Sequence, residues 1–143
     1  MPSHKPAPAL SGILETALHV DSLDRSSQFY EQVLGLERIA GDDHFRVYSV
    51  AARDVLLLFK RGATSLPVTF PGGVIPPHGS SGQLHMAFSI ELADLAKWEA
   101  HLAASSIPIE SRLVWPLGGH SIYFRDPDGH LLEIATPGLW SIY

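Results

Sequence analysis

The chain repeats one order of secondary-structure elements, and this repeat constrains the fold more than any other feature. Each half contains an alternating apolar strand, an amphipathic helix and then three further strand-like segments. The first half begins with ILETALHV (residues 13–20) and the second half begins with QLHMAFSIE (residues 83–91). Because element order, helix length and the position of the connecting segment agree between the halves, the sequence predicts two tandem βαβββ modules.

One helix is predicted in each module. In SLDRSSQFYEQVLGL (residues 22–36), Ser22 is the expected N-cap and Gly35 the expected C-terminal stop. In DLAKWEAHLAASS (residues 94–106), Asp94 is the expected N-cap. The apolar stripes predicted to face the core are Leu23, Phe29, Tyr30, Val33 and Leu34 in the first helix, and Leu95, Trp98 and Leu102 in the second.

These elements divide the chain into four parts. Residues 1–12 form an N-terminal arm, residues 13–62 the first module, and residues 83–143 the second module with a C-terminal tail. Residues 63–82, rich in Pro, Gly and Ser, form a linker or flap between the modules. The expected fold class is α+β, with the two modules forming a cupped, partly closed mixed sheet around a cleft.

Composition excludes several classes of function. The net charge of −5 and the lack of a Lys/Arg-rich run give no footprint for nucleic acid. Without cysteine the chain has no disulfide and no thiolate ligand, so a metal must be held by His, Asp or Glu. No apolar run approaches the roughly 18 residues of a membrane span, and no signal peptide is evident. The expected location is the cytoplasm.

One carboxylate stands in an apolar strand. In FRDPDGHLLEIATPG (residues 124–138), Glu133 is flanked by Leu131, Leu132 and Ile134. A buried carboxylate is costly unless it is paired, hydrogen-bonded or bound to a metal. Pairing with Arg125 across the hairpin is one solution, and metal coordination is another.

Two segments together resemble a known superfamily. SLDRSSQFYEQVLGL followed by SIYFRDPDGHLLEIATPG (residues 121–138) is similar to the vicinal oxygen chelate superfamily. That group includes glyoxalase I, extradiol ring-cleaving dioxygenases, fosfomycin-resistance enzymes and bleomycin-binding proteins. The resemblance extends from Ile13 to about Gly138, and it is specific for the superfamily rather than for one member.

The resemblance implies a set of metal ligands on the first and last strands of each module. In the second module these positions match His85 and Glu133. In the first module, aligning DVLLLF with GHLLEI places Leu58 at the position of Glu133, which makes that corner apolar and leaves Leu58 to contact substrate.

The first strand of the first module offers two candidates. In the superfamily the ligand stands about seven residues before the helix start, and counting back from Ser22 reaches Glu15. His19 lies on the same face but about 13 Å further along the strand, so both residues cannot bind one ion. Glu15 is the expected ligand and His19 a substrate-contacting or catalytic residue; His19 as ligand is the alternative.

The resemblance implies a divalent-metal enzyme with Glu15, His85 and Glu133 as ligands. Two carboxylates and one imidazole favour Fe(II) or Mn(II), while Zn(II) and Mg(II) are possible. The expected substrate is a small molecule with vicinal oxygens, cleaved by an extradiol-type dioxygenase reaction or converted by a glyoxalase-like lyase or isomerase. The alternative is a metal-free module that sequesters a hydrophobic or aromatic compound, as bleomycin-resistance proteins do.

Two further residues are candidates for the cleft. If DPDGH forms a five-residue loop, Tyr123 lies opposite Glu133 and faces inward; if the turn has two residues, Tyr123 points away. The resemblance to ring-cleaving dioxygenases favours the first case and implies that Tyr123 or His19 is the catalytic base. His120 either contacts substrate at the rim or lies on the surface.

The resemblance also implies a homodimer. Two modules can close a cleft within one chain or by exchange with a second copy, and both arrangements remain open. Phosphonate chemistry is disfavoured, because the sequence after Glu133, IATPGLW, has no basic residue to hold a phosphonate.

Overall fold

The computed structural model describes residues 5–143 and contains two four-stranded mixed sheets, one from each module. The sheets are not closed into a barrel, and the predicted α+β class is confirmed. The first sheet contains β1 (Glu15–Val20), β2 (Glu37–Gly41), β3 (Phe45–Val50) and β4 (Asp54–Lys60). The second contains β7 (His85–Ser89), β8 (Ser111–Val114), β9 (His120–Arg125) and β10 (Leu131–Ala135).

The two sheets have the same topology, as the predicted repeat requires. The strand order is β1-β4-β3-β2 in the first and β7-β10-β9-β8 in the second. In each sheet the first and last strands of the module pair in parallel, and the other pairs are antiparallel. The parallel pairs place the strands that carry the expected ligands side by side at the centre and edge of each sheet.

The helices differ in how they begin. Helix α1 (Leu23–Gln28) continues as a π-helical turn (Phe29–Val33), and its N-cap is Ser22, whose Oγ accepts from the Arg25 amide at 3.3 Å. Helix α2 (Leu95–Ala104) follows a short 3₁₀ turn. The predicted cap Asp94 forms no cap hydrogen bond: it ends the 3₁₀ turn with a helical backbone, and its carboxylate lies 3.1 Å from Lys97 Nζ.

The linker contains a small hairpin that was not predicted from the sequence. Strands β5 (Val68–Phe70) and β6 (Gly73–Ile75) pair across a two-residue turn. The Pro71-Gly72 dipeptide at this turn was the available signal. Among residues 5–143, no helix is both long and apolar enough to cross a membrane.

One apolar core joins the two modules. Leu18 and Leu58 from the first sheet, Phe124 and Leu132 from the second, and Leu102 from helix α2 belong to the same buried cluster. Each sheet therefore turns one face towards this shared core. Because side chains alternate along a strand, the residues between these core positions lie on the opposite faces, which point outwards.

Polar side chains also connect the modules inside the core. The Tyr30 hydroxyl donates to Asp126 Oδ2 at 2.8 Å, and the same carboxylate accepts from the amides of Asp128 and His130. Burial raises the pKa of Asp126, and the hydrogen bonds from Tyr30 and His130 oppose that rise. A buried carboxylate with three donors is a satisfied structural group rather than a free acid.

His130 forms a second bridge and is fully buried. Its Nδ1 accepts from the Leu84 amide at 2.9 Å, so its Nε2–H donates to the His19 carbonyl at 2.8 Å. The ring is therefore neutral with one fixed tautomer. It joins the first strand of one module to the segment that enters the first strand of the other.

We expect His130→Ala to lower the free energy of unfolding by about 3 kcal/mol, because it leaves a cavity and two backbone groups without partners. Urea unfolding followed by circular dichroism measures this change. His44→Ala is the matched control; the His44 side chain is 69% exposed, and the expected change is within about 0.5 kcal/mol. A loss below about 1 kcal/mol for His130→Ala would contradict the bridging role.

Candidate metal centre

Strand β10 presents Glu133 on the outward face of the second sheet. In the sheet register Glu133 lies opposite Tyr123, and Leu131 lies opposite both Arg125 on β9 and His85 on β7. The pairing of Leu131 with Arg125 confirms the five-residue loop at DPDGH. Tyr123, His85 and Glu133 therefore share one face, as the sequence predicted.

His85 and Glu133 point at each other. Nε2 of His85 lies 3.2 Å from Oε1 of Glu133, and Nδ1 of His85 is 2.8 Å from the Leu131 carbonyl, to which it donates. In a neutral ring Nε2 then carries only a lone pair. His85 Nε2 and Glu133 Oε1 are therefore both acceptors, and a proton or a cation between them is required to make the contact favourable. Two ligand atoms about 2.1 Å from one ion at a right angle are about 3 Å apart. The pair therefore fits a divalent cation.

The second oxygen of Glu133, Oε2, accepts a hydrogen bond on the side away from His85. Ser121 Oγ donates to Glu133 Oε2, and Trp115 Nε1 donates to Ser121 Oγ at 2.8 Å. The role of neither residue was predicted from the sequence. The available signal was alternation, because Ser121 stands two residues before Tyr123 and so lies on the same face of β9.

Arg125 does not neutralise Glu133. Its Nε donates to Glu110 Oε2 at 2.7 Å, and its Nη2 lies 3.2 Å from the other oxygen of the same carboxylate. The hydrogen bond from Arg125 lowers the pKa of Glu110. Pairing of Glu133 with Arg125, the first solution that the sequence left open, is therefore wrong.

Tyr123 packs beside His85, with ring centroids 6.3 Å apart. Burial raises the pKa of the Tyr123 phenol, and the negative charge of Glu133 raises it further. The phenol is therefore protonated at neutral pH in the metal-free chain. In this state Tyr123 is a hydrogen-bond donor rather than a base.

The raised pKa of Tyr123 can be measured directly. Burial and a nearby carboxylate raise the pKa of two phenols in the described chain, Tyr30 and Tyr123, above the ordinary value of 10.0. We expect Tyr123→Phe to remove the late transition of Tyr123 and to leave Tyr30 unaffected. Because the unfolded chain loses this proton first, the contribution of Tyr123 to stability falls as pH rises above about 10. Ultraviolet titration of both proteins checks the assignment. A Tyr123→Phe curve that differs from wild type only by the loss of a phenol ionising at or below the ordinary value would contradict it.

Glu15 lies on the outward face of the first sheet and is exposed. Within residues 5–143, no three His, Asp or Glu side chains form a group that could hold a metal. Glu15 therefore does not meet His85 and Glu133 within one chain. The physical reason is the shared core, since it makes the outward faces of the two sheets point away from each other.

His19 lies on the same face as Glu15, as expected, but the linker covers it. The Thr64 hydroxyl donates to the His78 carbonyl, so it accepts from His19 Nε2, which lies 3.2 Å away. Ser80 Oγ then donates to His19 Nδ1 at 3.0 Å. Both ring nitrogens are engaged, and neither is free for a metal or a substrate.

The environment of His19 keeps its ring neutral. Burial lowers the pKa of His19, and the nearby His78 and Arg61 lower it further. The ring also stacks on Phe59, with centroids 5.6 Å apart. His19 therefore anchors the linker in this structure, and its expected catalytic role has no geometric support.

Leu58 does not line the outward face. Its side chain is fully buried in the shared core. The register pairs Ala17 with Leu57 on β4, and it pairs Ala87 with Glu133 on β10. The repeat-related counterpart of Glu133 is therefore Leu57. The predicted alignment was wrong by one residue, and a one-residue shift moves a side chain to the other face.

His120 is also on the wrong face to contact a substrate held by Glu133. Alternation along β9 places it on the side of Ile122 and Phe124, which belong to the core. Its amide donates to Thr136 Oγ1 at 2.9 Å at the end of the sheet. Of the two possibilities left open for His120, the structure disfavours substrate contact.

Comparison with known proteins gives three kinds of similarity. The model of the Glyoxalase/Bleomycin resistance protein/Dioxygenase superfamily matches residues 12–134. Metallothiol transferase FosB of Shouchella clausii is 30% identical over 130 residues, which are 89% of this chain and 81% of the relative. A lactoylglutathione lyase from Agrobacterium tumefaciens has a solved structure that superposes with a TM-score of 0.85 at 34% identity, covering 94% of this chain and 99% of that one.

A more distant structure shares the fold alone. The fosfomycin resistance protein FosX of Listeria monocytogenes superposes with a TM-score of 0.65 at 20% identity, covering 90% of this chain and 94% of that one. The two-sheet architecture is therefore common to proteins with very different sequences.

Proposed function

Because the chain belongs to the Glyoxalase/Bleomycin resistance protein/Dioxygenase superfamily, we propose that it is a divalent-metal-dependent enzyme for a small substrate with two neighbouring oxygens. The observation that carries this proposal is the convergence of His85 Nε2 and Glu133 Oε1 at 3.2 Å. The remaining polar atoms of both side chains are already hydrogen-bonded, so these two are left to bind a cation. The names of two relatives, a metallothiol transferase and a lyase, support enzymatic activity.

Glu15 is the proposed third ligand, supplied by a second copy of the chain. It is exposed on an outward face and has the repeat-related position of His85. A symmetric dimer that apposes the first sheet of one chain to the second sheet of the other brings Glu15 to the His85–Glu133 pair twice. The two carboxylates then neutralise the charge of a divalent ion.

The ligand set determines which ions fit. Two carboxylates and one imidazole suit Fe(II) or Mn(II), and they also accommodate Zn(II) or Mg(II). A bound ion supplies Lewis acidity, which polarises a substrate oxygen and stabilises negative charge on it. Tyr123, held protonated beside Glu133, donates a hydrogen bond to the substrate and fixes its orientation.

Two reaction types are compatible with this site. The relatives are named a transferase and a lyase, which favours lyase, isomerase or transferase chemistry without oxygen. Extradiol-type ring cleavage is the alternative reaction, and it requires Fe(II) and dioxygen. Oxygen uptake by the Fe(II)-loaded protein with a panel of aromatic diols separates the two, since only ring cleavage consumes oxygen.

Metal analysis tests the proposal itself. Protein purified anaerobically without chelators and loaded with Mn(II), Fe(II) or Zn(II) is expected to retain about one ion per chain. Mass spectrometry of the metals after gel filtration measures this ratio. If the ratio of bound ions to protein chains stays far below about one for each of the three metals, the protein is not a metal enzyme.

A metal-free binding module remains the second candidate, and one observation favours it. The outward face of the first sheet carries Ala17, Val47, Val55 and Leu57, which form an apolar wall beside Glu15. Such a wall suits a hydrophobic or aromatic ligand. Calorimetric binding of an aromatic compound that is equally tight with and without a chelator supports this candidate.

A further inference from the structure

A chain of hydrogen bonds ends on the oxygen of Glu133 that does not face His85. Trp115 Nε1–H donates to Ser121 Oγ, and the Ser121 hydroxyl donates to Glu133 Oε2. The direction is fixed by chemistry, because an indole N–H can only donate. Ser121 must accept from Trp115, and its single hydrogen is then available for Glu133. Ser121 is 1% exposed and Glu133 is 5% exposed, so water does not replace these partners.

This chain limits how Glu133 can bind an ion. A carboxylate with two free oxygens can rotate and coordinate through both of them. With Oε2 committed to Ser121, only Oε1 faces His85 Nε2. We propose that Ser121 and Trp115 are positioning residues that hold Oε2 of Glu133 away from His85, so that Glu133 would bind an ion through Oε1 alone. This inference rests on the metal site of the proposed function.

Trp115 is held in place by backbone hydrogen bonds of its loop and by the ring of Trp140, whose centroid lies 6.5 Å away. The Trp115 amide donates to the Gly119 carbonyl, and its carbonyl accepts from the Gly118 amide, both at 2.8 Å. The Gly119 amide in turn donates to the Gly138 carbonyl at 3.2 Å. A side chain at Gly119 would lie 2.6 Å from Leu139 and 2.7 Å from the Gly138 backbone. The loop therefore packs directly on the C-terminal segment, which fixes the indole over Ser121.

The inference is tested by Mn(II) affinity of the full chain. Ser121→Ala is expected to weaken binding about 10–100-fold, the usual cost of removing a group that orients a metal ligand. Ser121→Thr keeps the hydroxyl and is expected to stay within about threefold of wild type. Trp115→Phe, which removes the N–H, is expected to weaken binding about 3–10-fold. Ser111→Ala, on the same face of the neighbouring strand, and Trp98→Phe, in helix α2, are the matched controls and should leave Mn(II) affinity unchanged.

Two spectra separate positioning from a purely structural role. The electron paramagnetic resonance spectrum of bound Mn(II) is expected to change in Ser121→Ala and to return in Ser121→Thr, which a loss of stability alone would not produce. In the metal-free protein, the Trp115 indole N–H signal, identified by its loss in Trp115→Phe, is expected to shift in Ser121→Ala.

The outcomes distinguish this inference from the proposed function. Equal Mn(II) affinity and identical spectra in wild type and Ser121→Ala overturn the positioning role and leave the metal site standing. A Trp115 signal that does not respond to Ser121→Ala overturns the hydrogen-bond chain whether or not metal binds. Wild-type protein that binds no Mn(II) overturns the proposed function and the positioning role together.

Discussion

Glu133→Gln is expected to lose the bound ion and all activity that depends on it. The substitution preserves size and can still accept from Ser121, but it removes the charge that faces His85 Nε2 at 3.2 Å. Loss of a direct ligand should weaken binding by more than the roughly 10–100-fold typical of groups that only support a ligand. Competition with a coloured chelator measures the affinity, and mass spectrometry measures the retained metal.

Glu110→Gln is the control for this experiment. Glu110 is a carboxylate of the same module, but it is paired with Arg125 and exposed. It should retain metal and activity, which shows that a general loss of negative charge is not responsible. If Glu133→Gln keeps both its ion and its activity, the assignment of Glu133 as a ligand is wrong.

A mixture of two inactive variants is expected to recover activity. In Glu15→Ala both sites of a dimer lack Glu15, and in Glu133→Ala both lack the other carboxylate. If sheets are exchanged between chains, a mixed dimer has one site that lacks both residues and one intact site. Equal amounts refolded together give half mixed dimers, so about a quarter of the sites are restored.

The control for this complementation is a mixture of His85→Ala with Glu133→Ala. Both residues belong to the second sheet of one chain, so no combination of these chains restores a site. Metal content and activity of each mixture are compared with those of the unmixed variants. If the mixture of Glu15→Ala and Glu133→Ala is no more active than either variant alone, the site is not built from two chains.

The repeat made most of the fold predictable. The spacing of apolar residues changes from every second residue in strands to every 3.6 residues in helices, and this change located the main strands and both helices. Ser22 and Gly35 mark the two ends of the first helix, as expected. The linker hairpin was missed because its strands have three residues each. So short a segment shows no periodicity that could be distinguished from an irregular linker.

The register of β4 could not be read from the sequence. Leu56, Leu57 and Leu58 are consecutive and chemically identical, so alternation gives no indication of which one faces outwards. In β10 the charged Glu133 marks the outward face at once. The difference explains why Glu133 was placed correctly and Leu58 was not.

The site was predictable only in part, because its remaining features depend on tertiary contacts. Alternation placed Glu15 and His19 on one face, but it could not show that Thr64 and Ser80 fold back over His19. It also could not show that the outward faces of the two sheets diverge around a shared core. Alternation places Ser121 on the face of Tyr123, but it could not show that the Ser121 hydroxyl donates to Glu133.

The outward placement of Glu15 and of the His85–Glu133 pair has a consequence for how the protein behaves on dilution. An isolated chain holds both parts of the proposed site, yet the core between its sheets keeps them apart. Specific activity should therefore depend on protein concentration and fall once the proposed dimer dissociates. Metal and substrate would bind the proposed dimer, with all three ligands, more tightly than the single chain and would shift the equilibrium back towards it.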